Sequence, residues 1–285
     1  MKYPGKEASF LNEVEWFDSF SQAMEVCKTR RQHDWMFGAW AGGIRNWEHA
    51  DRMNVTGDVE AAKALSAAYD AAAMANITAV GEAMQLDFAG YLPCIPSYLA
   101  GEPMHMRRNV PCETSKAPIT IVIDLTSAGG ISAQTLQKRA TRIACLILYL
   151  SVFRAVSVYT ITTCMDTHDR GGYYIPAVKI GTTPMDLPQL AWQVCNPFAA
   201  RGVAYGLGNF TSGSIAWACF KDPTTGRSER VMNMQADKFA EHIKRILGLN
   251  PEDIVFPPVF LEDRDKDNPE VWAKKRMAEM GYKID

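Results

Sequence analysis

The amino-acid sequence predicts an α/β fold built on a central mixed sheet, with α+β as the alternative class. Three observations lead to this prediction. Residues 119–124, ITIVID, form a β-branched and apolar run of strand length that ends on a carboxylate. A helical repeat of apolar residues begins near Ser132 and continues to about Tyr149, and a second β-branched run occupies residues 155–163. A strand, a helix and a strand in this order are typical of a parallel pair joined by a right-handed crossover.

The part of the chain before this unit is predicted to be helical over residues 1–87. Apolar residues recur at helical spacing over residues 10–29, where Ser9 is the expected N-cap. An Ala-rich stretch at 58–84 favours a further helix. Prolines then recur through residues 88–118, which predicts an extended connector between the helical part and the rest of the chain.

Residues 119–262 are predicted to form the α/β core, and residues 263–285 a charged C-terminal helix or tail, with the whole chain in one compact unit. Besides the strand–helix–strand unit, the core is expected to contain further elements of both kinds. The strands are predicted near 174–180 and 254–261, and the helices at 186–195 and 232–247.

Composition and charge narrow the functional classes. The 285 residues are 47% hydrophobic and 22% charged, and the formal net charge of −2 disfavours a broadly basic nucleic-acid coat but leaves a local basic groove open. No run approaches the roughly 18 apolar residues of a membrane span, and the N-terminus lacks the apolar segment of a signal peptide. Seven scattered cysteines without a CxxC pair favour reduced thiols in the cytoplasm.

Asp124, at the end of the first predicted core strand, is the most informative carboxylate. It is followed by Thr126 and Ser127, and this loop resembles the Asp-x-Ser-x-Ser loop with which von Willebrand factor A domains bind a divalent cation. The resemblance is incomplete, since Ala128 stands at the last ligand position. We therefore predict that Asp124 pins the turn and that no metal site forms, with Asp124 and Thr126 as the candidate ligands should a cation bind. A sheet of von Willebrand-A-like or Rossmann-like character is the corresponding expectation for the fold.

Catalytic signatures are absent from the sequence. It contains no GxxxxGK[ST] phosphate loop, no HExxH zinc motif and no GxSxG elbow. Cys164 and His168 form the nearest nucleophile–base pair, and a pair so close in sequence is usually accidental. The chain is therefore predicted to be neither an enzyme nor a cofactor-binding protein.

Aromatic residues interleaved with basic ones favour the binding of single-stranded nucleic acid. Aromatic rings that stack on bases contribute roughly 1–3 kcal/mol per base, and Lys or Arg neutralises the phosphates. The alternative for each such stretch is that its aromatic rings are core and its charges a solvated face. The predicted contacts lie on the helix after 119–124, on a glycine loop and in segment 210–230, and they are Arg139, Arg142, Arg170, Tyr173, Tyr174, Trp217, Lys221, Arg227 and Arg230.

Two segments in the middle of the chain, YLAGEPMHMRR and ITIVIDLTSAGGISAQ, resemble the motifs of a family of tailed-phage proteins. The family pattern is a "yLaGeP-x-x-Mr" connector, then a "vDlt-S-g-gIs" strand and turn, then an Arg-bearing helix. In size, charge and layout the chain is also similar to the single-stranded-DNA-binding RNA polymerase cofactors of schitoviruses. The positions that match the motifs are Leu99, Ala100, Gly101, Glu102, Pro103, Met106, Asp124, Leu125, Thr126, Ser127, Gly130, Ile131, Ser132 and Arg139.

The resemblance to these cofactors implies a function and its partners. It implies a protein of the host-cell cytoplasm that binds single-stranded DNA at unwound promoters and recruits the phage RNA polymerase, with a fold other than an OB-fold. Single-stranded DNA and the phage polymerase are the expected partners, a homo-oligomer is left open, and no membrane is involved. The alternative function is a von Willebrand-A-like adaptor that grips a partner protein through a bound divalent cation.

Overall fold

A computed structural model gives the fold and describes residues 13–29, 37–73, 84–87, 92–93, 101, 103–104, 106–109, 117–127, 130–165, 173–182, 186–209, 236–259 and 269–280. The predicted α/β class is confirmed, because a mixed sheet packs against helices. The strands are β1 (Glu13–Phe17), β2 (Met84–Asp87), β3 (Leu92–Pro93), β4 (Met106–Asn109), β5 (Ile119–Asp124), β6 (Val156–Ile161), β7 (Cys164–Met165), β8 (Tyr173–Thr182) and β9 (Ile254–Phe256). The α-helices are α1 (Phe20–Thr29), α2 (Trp47–Thr56), α3 (Val59–Ala73), α4 (Ala133–Phe153), α5 (Leu187–Leu190), α6 (Tyr205–Asn209), α7 (Ala236–Leu247) and α8 (Pro269–Glu279), with a 3₁₀ turn at Ala39–Ala41 and π-helical segments at Ala191–Cys195 and Ala199–Ala204.

The main sheet has the strand order β1-β8-β6-β5-β9, and the short strand β7 pairs with β8. Strands β1 and β8, β5 and β6, and β5 and β9 are parallel, whereas β6 and β8 are antiparallel. The predicted strand–helix–strand unit is confirmed, since α4 connects β5 to its parallel neighbour β6. Strands β2, β4 and β3 form a separate antiparallel sheet.

The first strand corrects the helix predicted over residues 10–29. Residues Glu13–Phe17 are extended and pair in parallel with β8, and helix α1 begins only at Phe20. Apolar side chains at Phe17, Phe20 and Met24 fit a continuous helix, but they also fit a strand followed by a turn and a shorter helix. The alternation of Glu13–Phe17 on a pleated strand decides the matter, since Phe17 is buried and its neighbour Trp16 is 51% exposed.

Helix α4 confirms the helix predicted from Ser132. The hydroxyl of Ser132 accepts a hydrogen bond from the backbone N–H of Thr135 at 3.1 Å, which is an N-cap. Leu136 and Ile143 are buried as expected. Arg139, which was predicted to contact nucleic acid from this helix, is also buried, at 8% exposure.

One face of the sheet carries the larger core. Ile121, Ile123 and Val158 alternate to this face, and they belong to one apolar cluster with residues of α1, α4 and the π-helical segments. Trp192 joins the two parts of the chain, because its ring lies 6.1 Å from that of Phe20 and stacks on a further aromatic ring of the same cluster. Residues from before and after the Pro-rich connector therefore share one core.

A buried arginine ties the segment before α2 to the loop before α4. Arg201 is 2% exposed, and its guanidinium donates to the backbone carbonyl of Trp40 at 2.6 Å and to that of Ile131. The guanidinium also lies over the indole of Trp40, 4.6 Å from the ring centroid. Burial lowers the pKa of Arg201, and the two carbonyls with the ring replace the water that the cation loses.

The opposite face of the sheet is covered by α7. Phe239 and Ile243 of this helix are fully buried against Val122 of β5, Ile161 of β6 and Val255 of β9. Trp16, at the β1 side of the same face, remains half exposed. Within the ranges given above, no helix is long and apolar enough to span a membrane.

The turn between α2 and α3 generates the first prediction. Gly57 has a φ of +72°, and a Cβ added to it would overlap the backbone and side chain of Pro188. We expect Gly57→Ala to cost about 2–5 kcal/mol of unfolding free energy, since left-handed strain contributes about 1–2 kcal/mol and overpacking about 1–3 kcal/mol. Urea denaturation measures this loss.

Gly43→Ala is the matched control for this substitution. Gly43 has a φ of +84°, but nothing lies within 4 Å of the point that an added Cβ would occupy, so only the backbone strain of about 1–2 kcal/mol applies. Equal losses for the two variants would show that the close approach of Gly57 to Pro188 does not stabilise the fold.

Candidate functional site

The end of β5 is closed by a buried group of polar side chains. The carboxylate of Asp124 is 0% exposed, and it accepts hydrogen bonds from the backbone N–H of Thr126 at 2.7 Å and from the hydroxyl of Thr163. The hydroxyl of Thr126 in turn accepts from the backbone N–H of Thr163 at 2.9 Å. Because Thr163 follows β6, these three residues, called the Asp124 lock below, join the ends of two parallel strands. Asp124 thus pins the turn as the sequence predicts.

Burial dominates the electrostatics of the Asp124 lock. It raises the pKa of the Asp124 carboxyl above its ordinary value, although the hydrogen bonds from Thr126 and Thr163 and the charge of Arg139 oppose this rise. The folded protein therefore favours the neutral carboxyl more than the unfolded chain does.

Arg139, predicted to contact nucleic acid, lies beside the Asp124 lock. Its guanidinium donates to the backbone carbonyl of Asp124 at 3.3 Å and to that of Pro257 at 2.5 Å. These bonds join the end of β5 to the segment after β9. Arg139 therefore connects strand ends through hydrogen bonds. Only 8% of its surface is exposed, so little of the side chain is accessible to a phosphate. Arg142, one turn further along α4, is half-buried.

The predicted tyrosine loop is placed only in part. Tyr174 is 1% exposed, and its hydroxyl donates to the carboxylate of Glu15 on β1. It therefore connects β8 to β1 and is not exposed for stacking. The backbone of Tyr173 belongs to β8. The remaining predicted contacts lie outside the described residues, and they are Arg170, Trp217, Lys221, Arg227 and Arg230.

The geometry of the Asp124 lock offers little to a divalent cation. Both oxygens of Asp124 already accept hydrogen bonds from protein groups. Among the residues that the structure describes, no three His, Cys, Asp or Glu side chains come together as a metal site. A hard cation takes six or more oxygen ligands, so binding here would require the Asp124 lock to open. The cation-dependent adaptor stays a prediction.

A second group of side chains lies on the sheet face that α7 covers. Trp16 of β1 is 51% exposed, and Tyr159 of β6 and Lys179 of β8 are half-buried. The rings of Trp16 and Tyr159 lie 5.7 Å apart at an interplanar angle of 84°. Tyr159 is paired directly with Lys179, and Ala177 of β8 is paired with Trp16. These four residues are called the aromatic platform below.

The charges around the aromatic platform favour an anion. Among the side chains that the structure describes, Lys179 forms no ion pair. The carboxylates of β1, Glu13 and Glu15, alternate to the opposite face of the sheet. Aromatic rings beside a lysine, with Glu13 and Glu15 on the other face, are the kinds of group that a single-stranded nucleic acid requires.

Trp16, Tyr159 and Lys179 are not among the residues that the sequence predicts to contact nucleic acid. Trp16 fell within the predicted helix over residues 10–29, and Tyr159 was recognised only as part of a strand. Two signals could have identified them: the alternation of EVEWF at 13–17 and that of VSVYTI at 156–161. Each run places one aromatic side chain on a face of its strand, but their meeting depends on the order of three strands.

A protein-family model matches most of the chain. The model is described as "Domain of unknown function (DUF7192)" and matches residues 10–279. The match includes the N-terminal helices and the whole main sheet, so both parts of the chain belong to the same family unit. Neither a search of the curated proteins nor a search of the solved structures finds a match.

The raised pKa of Asp124 predicts how its substitution depends on pH. The stability that a raised carboxyl pKa contributes is complete below the unfolded pKa of about 3.9, and it is lost as the pH rises through the folded value. Asn resembles the neutral acid and does not titrate. The unfolding free energy of Asp124→Asn should therefore increase relative to that of the native chain as the pH rises. Each unit by which the folded pKa exceeds the unfolded one corresponds to about 1.4 kcal/mol.

Urea unfolding of both proteins between about pH 4 and pH 8 measures this gain. Other carboxyl groups titrate equally in the two chains and cancel in the difference. A difference that moves the other way, with the native chain gaining as the pH rises, would mean that the Asp124 lock stabilises the ionised carboxylate.

Metal addition and removal test the same site. We expect neither Mg²⁺ nor EDTA to change the thermal midpoint of the native chain, because the Asp124 lock presents one carboxylate with both oxygens bonded. Differential scanning fluorimetry with each addition measures the midpoint. A rise with Mg²⁺ that Asp124→Ala abolishes would contradict this expectation and favour the cation-dependent adaptor.

Proposed function

The chain belongs to the DUF7192 family of domains of unknown function, and on that premise we propose that it binds single-stranded DNA through the aromatic platform. The observation that carries the proposal is the half-exposed indole of Trp16 beside Tyr159 and Lys179 on a sheet face. The function is that expected from the sequence, but the residues are different ones. Arg139 and Tyr174 are buried, so the proposed contacts are instead Trp16, Tyr159 and Lys179, which solvent reaches.

The chemistry of the aromatic platform suits unpaired bases. A base that stacks on an aromatic face contributes roughly 1–3 kcal/mol, irrespective of its sequence context. Lys179, paired with Tyr159, is positioned to neutralise a phosphate of the same strand. In a duplex each base face is already covered by its neighbours, so Trp16 has no face to stack on. The aromatic platform therefore favours single strands.

The wider role follows from the resemblance of the motifs. Like the schitovirus cofactors, the protein would bind the strand exposed at an unwound promoter in the host cytoplasm and recruit the phage RNA polymerase there. The net charge of −2 supports a local contact over a long basic groove, because a coat of the whole strand needs an excess of positive charge. The protein acts as a binding partner in this role and performs no reaction itself.

Binding of a fluorescent single strand of about thirty nucleotides, followed by anisotropy at several salt concentrations, tests the proposal. We expect tight binding at low salt, weak binding to the matched duplex and indifference to EDTA. Trp16→Ala should weaken binding about 5- to 150-fold, since it removes a stacking energy of roughly 1–3 kcal/mol. Lys179→Gln should lower the slope of log K against log salt by about one.

Lys63→Gln is the matched control for the loss of a charge. Lys63 is exposed on α3 and pairs with Glu60 at 2.7 Å, so it lies on another element and its loss should leave DNA binding unchanged. The absence of binding to the single strand at low salt would contradict the proposal. Equal effects of Lys63→Gln and Lys179→Gln would remove the aromatic platform as the site.

A further inference from the structure

We propose that the aromatic platform takes one unpaired purine base per protomer, stacked on Trp16, with Tyr159 and Ala177 as positioning residues. This inference rests on the proposed function and specifies the substrate class of the same site. It is drawn from the strand register, from the distance and angle between two rings, and from the lack of a larger side chain at residue 177.

The position of the two rings follows from the sheet. Strands β1 and β6 both flank β8, and neighbouring strands lie about 4.8 Å apart, so their backbones are roughly 10 Å apart. The rings of Trp16 and Tyr159 are nevertheless only 5.7 Å apart. Both side chains must therefore lean towards each other over β8.

Ala177 makes this approach possible. It is paired with Trp16 on one side and with Ile161 on the other, and it is fully buried. A methyl group at this point leaves room for the indole to lie across β8, where a larger side chain would push the ring away. The orientation of Trp16 is thus fixed before a ligand arrives, which reduces the entropy lost on binding.

The angle between the rings limits the site to one base. Consecutive bases stacked in a strand are parallel to each other, whereas the rings of Trp16 and Tyr159 stand at 84°. Only one ring of such a pair can offer its face to a base. Trp16 is the more exposed of the two residues, at 51%, whereas Tyr159 packs against the apolar residues under α7.

The shape of the indole favours purines. Dispersion contacts increase with the number of overlapping atoms, and a bicyclic purine covers more of a bicyclic indole than a pyrimidine does. Lys179 is the charged member of the aromatic platform and contacts phosphate, which every nucleotide carries. The preference is therefore graded by stacking area and does not depend on a sequence.

The binding of two short DNA strands allows purines and pyrimidines to be compared directly. One is a dodecamer of thymidine, and the other carries adenine at alternate positions, which avoids runs of adenine that stack on themselves. We expect the adenine-containing strand to bind the native chain about three- to tenfold more tightly, within the range of stacking differences between bases. Trp16→Phe should bring the ratio of the two affinities close to one. Lys179→Gln should weaken the binding of both DNA strands and leave this ratio unchanged.

A pair of substitutions at Tyr159 tests positioning. Tyr159→Phe keeps an aromatic ring beside Trp16 and should keep the affinity ratio. Tyr159→Ala removes it and should lower the ratio, with the thermal midpoint of each variant recorded to show that the chain is folded. A purely structural role of Tyr159 would change the midpoint but not the ratio between the two strands.

The outcomes separate this inference from the proposed function. Equal affinity for the two strands, with binding intact, would overturn the purine site and leave single-strand binding in place. An unchanged ratio in Trp16→Phe, or in Tyr159→Ala, would overturn the assigned roles. No binding to either strand at low salt would contradict the proposed function itself.

Discussion

The need to cover both faces of the main sheet is the constraint on which the rest of the structure depends. Parallel strands occur almost only where both faces are buried, and the parallel strands β5 and β9 are mostly apolar for this reason. The N-terminal helices, α4 and the π-helical segments cover one face through a single large cluster. The other face depends on α7, whose Phe239 and Ile243 lie over the central strands. On the same face Trp16 is half exposed, so the candidate site lies where the sheet is no longer fully buried.

Polar side chains hold the strand ends where loops would otherwise be loosely attached. The Asp124 lock joins β5 to β6, and Arg139 joins β5 to the segment after β9. Arg201 plays the same part between the segment before α2 and the loop before α4. Both arginines donate to backbone carbonyls, which satisfy a guanidinium without placing a second charge in the interior. The buried polar side chains at these strand ends therefore hold neighbouring segments together. The exposed aromatic platform lies elsewhere, on a face of the sheet.

Local signals explain which parts of the fold could be predicted from the sequence. The β-branched run that forms β5 and the N-cap at Ser132 carry their information within a few residues, so the strand–helix–strand unit is confirmed. The strand β1 was predicted as part of a helix, because its apolar residues fit a helical spacing as well as the short alternation of EVEWF, and its partner lies far along the chain. Arg139 was misplaced because its partners are backbone carbonyls, which leave no mark in a sequence. The aromatic platform required the order of β1, β8 and β6, which no single segment encodes.

The pairing of β1 with β8 also determines when folding of the main sheet can be completed. Tyr174 and Glu15, which connect the two strands, are 159 residues apart in the sequence. Contacts between such distant segments give a high contact order, and chains of this kind fold slowly because a long loop must close first. During synthesis β1 leaves the ribosome early and remains without its neighbour until β8 has followed. Trp16 lies on an unpaired strand during that interval, and charged side chains such as Glu13 and Glu15 disfavour the pairing of an exposed strand with other chains.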